Sequence, residues 1–262
     1  VREPKSETTR LVADCLWCVS DATADGYETI LPSGRAQIMI SLSGTRLNEH
    51  GPEDGHQDSG SLHVFQGPST MPRRVSRKAQ TALCGVSFQP GGAGALFGPI
   101  QDTTDQVIDL SQFWADAAVR LRDRLRNLET HDAVLDLLEK EIERRIGDVS
   151  AAIVLKRGIE CMRTGMAIRD VAEELEISLH VFRKLFLRNV GLTPKRYLRI
   201  ERFRAAINLL SSASSLSEVA FDAQFSDQSH MTREVEHFAS MTPRCLRACV
   251  RPYVGHVLGP AR

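Results

Sequence analysis

The chain has no net charge: 33 Lys and Arg balance 33 Asp and Glu across 262 residues. It has no apolar run near the ~18 residues that cross a bilayer, no signal-peptide pattern and no low-complexity tract. A membrane-spanning helix and a disordered, biased chain are thereby excluded, and the cytoplasm is the expected location. There is no initiator Met, so the chain reads as a trimmed or expressed fragment. Metal-ligand spacing is lacking too. Cys15 and Cys18 form C-x2-C within the strand-like run ADCLWCVS, where residues three apart point to opposite faces, a poor chelate. Cys245 and Cys249, four apart in a helical run, share a face but have no further ligand near them in sequence. His50, His56 and His63 share no rigid spacing. The six cysteines are therefore expected as reduced or buried thiols, and no metal, cofactor or catalytic residue is assigned.

What is present divides unevenly. Residues 151–262 carry 17 Lys and Arg against 11 Asp and Glu, a net of +6, which leaves −6 on residues 1–150. A basic half joined to an acidic half suggests that one of them meets a polyanion. The length suits about two domains. From 11 to 90 the chain reads as β, with runs at 13–20, 27–31, 36–42, 61–67 and 81–88 bounded by turn residues. The stretch NEHGPEDGHQDSG (48–60) is an exposed loop. GGAGALFG (91–98) misses a dinucleotide fingerprint at Phe97 and reads as a strand-to-helix corner. From 112 the spacing is helical: Leu121, Leu125, Leu135, Leu138, Ile142 and Ile146 recur at three- and four-residue steps. These helices are a linker, a cap on the β domain or a dimer seam, with self-association the expected use of their stripe. A third helix at 150–163 stops at Thr164-Gly165, and every later element reads as helical.

The C-terminal part repeats itself. Ile168, Val171, Ala172 and Leu175 correspond, 48 residues on, to Leu216, Val219, Ala220 and Ala223; Ile177-Ser178 corresponds to Phe225-Ser226. The offset then becomes 49, so Phe182 and Phe186 match Met231 and Val235, and LTPK (192–195) matches MTPR (241–244). Each unit is a short amphipathic helix, a tight turn, a Ser N-cap and a second amphipathic helix. That is a helix-turn-helix, whose second helix enters the DNA major groove. Its apolar stripe packs on the first helix and frees a polar face. In the first unit this face carries His180, Arg183, Lys184 and Arg188. In the second it carries Gln228, Ser229, Thr232 and Arg233, with His230 at the margin. Arg suits guanine and Gln suits adenine as bidentate partners. Between the units, TPKRYLRIERFRAAINLL (193–210) has Thr193 as N-cap and Pro194 as first helical residue. Its Lys195, Arg196, Arg199, Arg202 and Arg204 offer phosphate contacts.

These segments, with IRDVAEELEIS, FRKLFLRNVGLTPKRYLRIERFRAA and SEVAFDAQFSDQSHMTREV as the most specific, resemble regulators of the AraC/XylS type over about 150–250. The resemblance implies a DNA-binding transcription regulator, an activator or a repressor, with base-reading positions at His180, Arg183, Gln228, Ser229, Thr232 and Arg233. Lys184, Arg188, Lys195, Arg196 and Arg202 are the candidate phosphate contacts. The N-terminal ILPSGRAQIMISLSG and GVSFQPGGAGALFG resemble a β-rich domain found before such readers. Where the family often has Gly in the turn before the second reading helix, this chain has Gln224, with Glu176 at the equivalent place in the first unit. A Val, Val235, stands where the family has Phe.

The expected fold is α+β: a β-rich, barrel-like sensing domain at 1–110, a helical linker or dimerisation region at 111–149, and an all-α domain with two helix-turn-helix units at 150–255. Double-stranded DNA is the expected partner, alongside a small-molecule effector, RNA polymerase and a second copy in a homodimer. Residues 150–262 are expected to fold alone. Two other readings stand beside this one. A repair protein or thiol-dependent enzyme with a DNA-binding tail would need a nucleophile and a base, for which Cys84 or Cys18 near a His is all that is offered. An architectural DNA binder without a ligand would use the acidic half for protein contacts.

Overall fold

The computed structural model describes residues 1–20, 26–48, 60–213, 215–251 and 255–258. The polar loop with His50 and His56 lies outside the described residues. Strands form at the five expected places and at others: β1 (Ala13–Ser20), β2 (Tyr27–Ile30), β3 (Gln37–Ser41), β4 (Leu47–Asn48), β5 (Gly60–Ser61), β6 (His63–Gln66), β7 (Arg73–Ser76), β8 (Ala82–Phe88), β9 (Val107–Asp109) and, far downstream, β10 (His256–Leu258). The added strands are two to four residues long, too short to show a period of two.

The strands do not close into a barrel. A five-stranded sheet runs β1-β8-β3-β6-β9, a three-stranded sheet runs β10-β2-β7, and β4 pairs with β5. The reason lies in the helices. After α1 (Glu7–Val12) and α2 (Gly94–Phe97), α3 (Ser111–Trp114), α4 (Asp116–Arg126) and α5 (His131–Glu143) follow. Leu121, Leu125, Leu135, Leu138 and Ile142 are at most 4% exposed, in one core with Leu16, Ile38, Ile40, Phe65, Cys84 and Val86 of the sheet. The helices therefore cover the apolar face that a barrel would have to fold inward. Fully burying each such leucine contributes about 1.5–3 kcal/mol. Of the uses open to the stripe, the cap is the observed one, and the dimer seam expected along it is corrected: no free stripe is left there. Buried Arg122 ties α4 to β3, its Nε donating to Ser41 O at 2.9 Å. At the chain's start, Arg2 pairs with Asp136 and Glu139 of α5.

The run from 112 is not one helix. It breaks at Ala115, whose φ is +47, where the Trp114 ring stacks on Phe97 and lies beneath the Arg145 guanidinium. GGAGALFG turns from β8 into α2 as a strand-to-helix corner. His63 is a buried β-sheet histidine with Ser61 and Asp109 beside it.

The second core gathers α6 (Ser150–Arg163), α7 (Ile168–Glu174), α8 (Leu179–Val190), α9 (Pro194–Leu209), α10 (Leu216–Asp222), α11 (Gln228–Ala239) and α12 (Pro243–Ala248). It includes Phe182, Phe186, Tyr197, Phe203 and Phe238, all at most 1% exposed. Two of its members come from outside the helical domain: Leu31, just after β2, and Val257 of β10. The expectation that everything beyond 165 is helical thus fails at β10, which returns to pair with β2, Val257 opposite Thr29. No helix among the described residues is long and apolar enough to cross a membrane.

Candidate nucleic-acid interface

Every helix from α8 to α12 begins with a side-chain cap, whereas α7, preceded by Ala167, has none. The Ser178 hydroxyl accepts from Val181 N at the start of α8, Thr193 from Arg196 N at α9, and Thr242 from Cys245 N at α12. Pro194 and Pro243 occupy the first helical position, where a missing N–H costs nothing. At α11 the expected Ser cap is displaced by one residue. Asp227 is the cap, accepting from His230 N at 2.7 Å, because the change of offset from 48 to 49 falls between Ser226 and Asp227. The His230 N–H, with the Ser226 hydroxyl, holds the Asp227 carboxyl below its usual range. At the other end α8 stops on Gly191 and α11 on Ser240, both left-handed. Gly191 has a further constraint, since a Cβ there would fall 2.7 Å from Pro68 Cγ.

The turns between helices repeat too. Glu176 and Gln224 both have positive φ, +54 and +60, where an L side chain costs about 1–2 kcal/mol. Replacing exposed Gln224 by Gly is expected to stabilise the protein by about 0.5–1.5 kcal/mol, after the entropy that Gly adds to the unfolded chain. Thermal denaturation checks this; a lowered melting temperature would refute it.

The polar faces stand free. Phe182, Phe186 and Val190 line the buried side of α8, while His180, Arg183, Lys184 and Arg188 are exposed on the other. In α11, Met231, Val235 and Phe238 are buried; Gln228, Ser229 and Arg233 are exposed and Thr232 is half-buried. His230 is drawn inward: its Nδ1 is 2.9 Å from Ser226 Oγ and its ring meets Phe225 edge-on. Sequence reasoning missed Ser217, which donates to Gln228 Oε1 at 2.8 Å and orients that carboxamide. No pattern announces it, because it lies on α10. It also missed Val181 and Leu187, exposed apolar side chains on a reading helix at 48% and 40%. Their signal was legible as apolar residues off the buried stripe.

The arginines of α9 divide. Lys195 is exposed. Arg199 makes a two-pronged pair with Glu234 of α11, both contacts 2.8 Å, and holds that carboxyl below its usual range. Arg204 pairs with Glu201, which also holds Arg163. The half-buried Arg202 guanidinium lies over Phe225. Arg196, though exposed, donates to Thr70 Oγ1 of the β domain at 2.6 Å, and Thr70 in turn donates to Asp105. The same seam holds the end of α8, where Ile100 N donates to Arg188 O at 2.9 Å and Thr104 Oγ1 to Gly191 O at 2.7 Å.

Two helix-turn-helix units in register, joined by one helix and presenting two free polar faces, define a double-headed DNA-binding domain. Residues 171–248 match the family described as a helix-turn-helix domain, and residues 3–109 match a domain of unknown function (DUF6597). The C-terminal part of the chain is therefore a helix-turn-helix domain of the AraC type. It is 33% identical over 78 residues to the HTH-type transcriptional activator RhaS of Escherichia coli (strain SE11), and 32% identical over 78 residues to RhaS of Escherichia coli O157:H7. That stretch is 29% of this chain and 28% of the relatives, so the chain spans little more than a quarter of their length. Among solved structures, ToxT from Vibrio cholerae is similar at 11% identity and TM-score 0.40, covering 87% of this chain and 95% of that one. An AraC-type regulator from Chromobacterium violaceum is 24% identical with TM-score 0.35, over 38% and 95% of the two chains.

Proposed function

We propose that this chain regulates transcription by reading two unlike DNA half-sites, one with α8 and one with α11. The observation that carries the reading is the pair of free polar faces on capped helices in register, joined by one rigid helix. The sixteen residues of α9, at ~1.5 Å each, make a rod of about 24 Å, which suits half-sites about one helical turn apart. Arg183 contacts a guanine and Gln228 an adenine. With Oε1 accepting from Ser217, Gln228 keeps its second lone pair and both Nε2 hydrogens for the base edge. His180, Ser229, Thr232 and Arg233 complete the base-reading set, and Val181 and Leu187 meet thymine methyl groups. Lys184, Arg188 and Lys195 hold phosphates; Arg196 joins them only when Thr70 releases it.

Selection of DNA from a random pool with each variant tests this. Arg183→Ala is expected to lose about 1–3 kcal/mol of base discrimination in one half-site, and Gln228→Ala the same in the other. If both variants weakened all sequences alike and left both preferences intact, these side chains would not be the readers.

The same reading includes a cytoplasmic location, contact with RNA polymerase, and pairing of two copies by a surface other than the buried leucine stripe. A cleft of about 240 Å³ between the β domain and α6, with Asp14, Arg35, Gln89, Lys156, Glu160 and Arg163 in its wall, supports a small polar effector. A ligand-induced thermal shift that Lys156→Ala abolishes is the expected result, and a screen of small charged metabolites that moves nothing would remove the assignment.

A further inference from the structure

Cys15 and Cys18 stand together in the sequence, yet the partner of Cys18 lies across the sheet. In the antiparallel ladder of β1 and β8, Cys18 is directly opposite Cys84. The hydrogen bonds around them reveal which kind of pair this is. In an antiparallel strand the N–H and C=O of one residue point to the same side, and the sides alternate along the chain. Leu16 exchanges both its bonds with Arg2, at 2.9 and 2.8 Å, on the side away from β8. Cys18, two residues on, also turns its peptide groups away from β8. From the other strand, Phe88 N donates to Ala36 O and Ala82 O accepts from Leu42 N. Cys84 shares their parity, so its peptide groups face β3. Both strands agree that Cys18 and Cys84 are a non-hydrogen-bonded pair, the closer kind, with Cα atoms about 4.5 Å apart. Bonded cysteines have Cα separations of about 4.4–6.8 Å. Side-chain rotation alone brings the sulfurs together.

Their side chains share the face that packs under α4 and α5. Cys84 is fully buried there and Cys18 half-buried at its margin. The neighbouring pair, Trp17 and Gly85, faces the other way, and the Trp17 ring fills the place of a Gly85 side chain, 2.4 Å from where its Cβ would be. Cys15 lies opposite Ser87, on that other face.

We propose that Cys18 and Cys84 are an oxidisable dithiol, a modification site at which hydrogen peroxide converts two thiols to one intrachain disulfide. The Cys18 sulfur, nearer the solvent, attacks the peroxide, takes one oxygen as a sulfenic acid and releases water. The Cys84 sulfur then attacks the Cys18 sulfur, the S–O bond breaks, and a second water leaves with the thiol proton. The two thiols together lose two electrons, and the peroxide is reduced to two waters. A small dithiol reverses the bond by exchange. Burial pushes both thiols up, which keeps the thiolate fraction low and the site reduced until oxidant accumulates.

The test treats the whole chain with hydrogen peroxide, blocks free thiols under denaturing conditions and maps the peptides. The expected product lacks two of its six thiols, joins the Cys18 and Cys84 peptides, and returns to the starting mass with dithiothreitol. Cys84→Ser should give no cross-link and leave Cys18 as a sulfenic acid trapped by dimedone. The double variant Cys245→Ser, Cys249→Ser, remote from the sheet, should form the bond as the unaltered chain does, and it keeps the test decisive where Cys84→Ser does not fold. Six free thiols after oxidation of folded protein would overturn the proposal. So would a cross-link confined to Cys245–Cys249 or to Cys15–Cys18.

Discussion

Binding of the whole chain to its selected DNA weakens about a thousandfold as monovalent salt rises from about 50 to about 200 mM. Each phosphate neutralised releases condensed counterions, so log K falls against log salt with a slope near −0.9 per contact, or roughly −5 for about six contacts. The structure identifies which cations are free to make them. Lys184, Arg188 and Lys195 are exposed beside the two reading faces, and Arg244 and Arg247 are exposed on α12. Arg199, Arg204 and Arg163 are committed to Glu234 and Glu201, and their loss should disturb folding more than the salt slope. Fluorescence titration at four or five salt concentrations gives the slope directly. A flat response would show that the basic half does not meet phosphates at all.

Val257→Asp is expected to cost on the order of 3–5 kcal/mol, the penalty for an uncompensated buried charge. At roughly 2–4 °C per kcal/mol for a chain of this size, the melting temperature falls by about 10 °C. Val257 is 1% exposed, in one core with Leu31 and the helices of the DNA-binding domain. Leu31 N donates to Gly255 O at 2.7 Å, and His256 Nδ1 lies 3.2 Å from Glu28 Oε1. A strand contributed by the end of the chain therefore fastens the DNA-binding domain to the β domain. Residues 150–262 expressed alone would lack β2 and Leu31, so the expectation that they fold independently carries this cost. Calorimetry of the full chain decides the matter. A melting temperature within a degree of the unaltered protein would mean that β10 holds nothing.

The reading heads were legible from the sequence because what specifies them is local. Helical periodicity, Ser178, Thr193 and Thr242 as caps, Pro194 and Pro243 behind them, and the 48-residue repeat all act within a few residues along the chain. Even Gln224 in a left-handed turn could be anticipated from its place in the repeat. The cap that was misplaced locally, Asp227 rather than Ser226, came from a single inserted residue whose position the repeat leaves open by one.

Contacts between distant segments were decided only in three dimensions. The stripe of Leu121, Leu135 and Leu138 suits a dimer seam, a linker or a cap equally well, because amphipathicity states that a face must be buried and not against what. The sheet stays open because α4 and α5 cover its face, and β10 joins β2 across more than two hundred residues, a pairing that no local period encodes. Likewise Arg196 and Arg199 look alike in sequence, yet one reaches Thr70 and the other Glu234. Cys18 finds Cys84 rather than Cys15 because strand register, set by core packing over the whole sheet, chooses its neighbour. The sequence by itself determined a double helix-turn-helix reader and its outward residues; how that reader is fastened to the β domain, and which cations and thiols are already engaged, depended on tertiary packing.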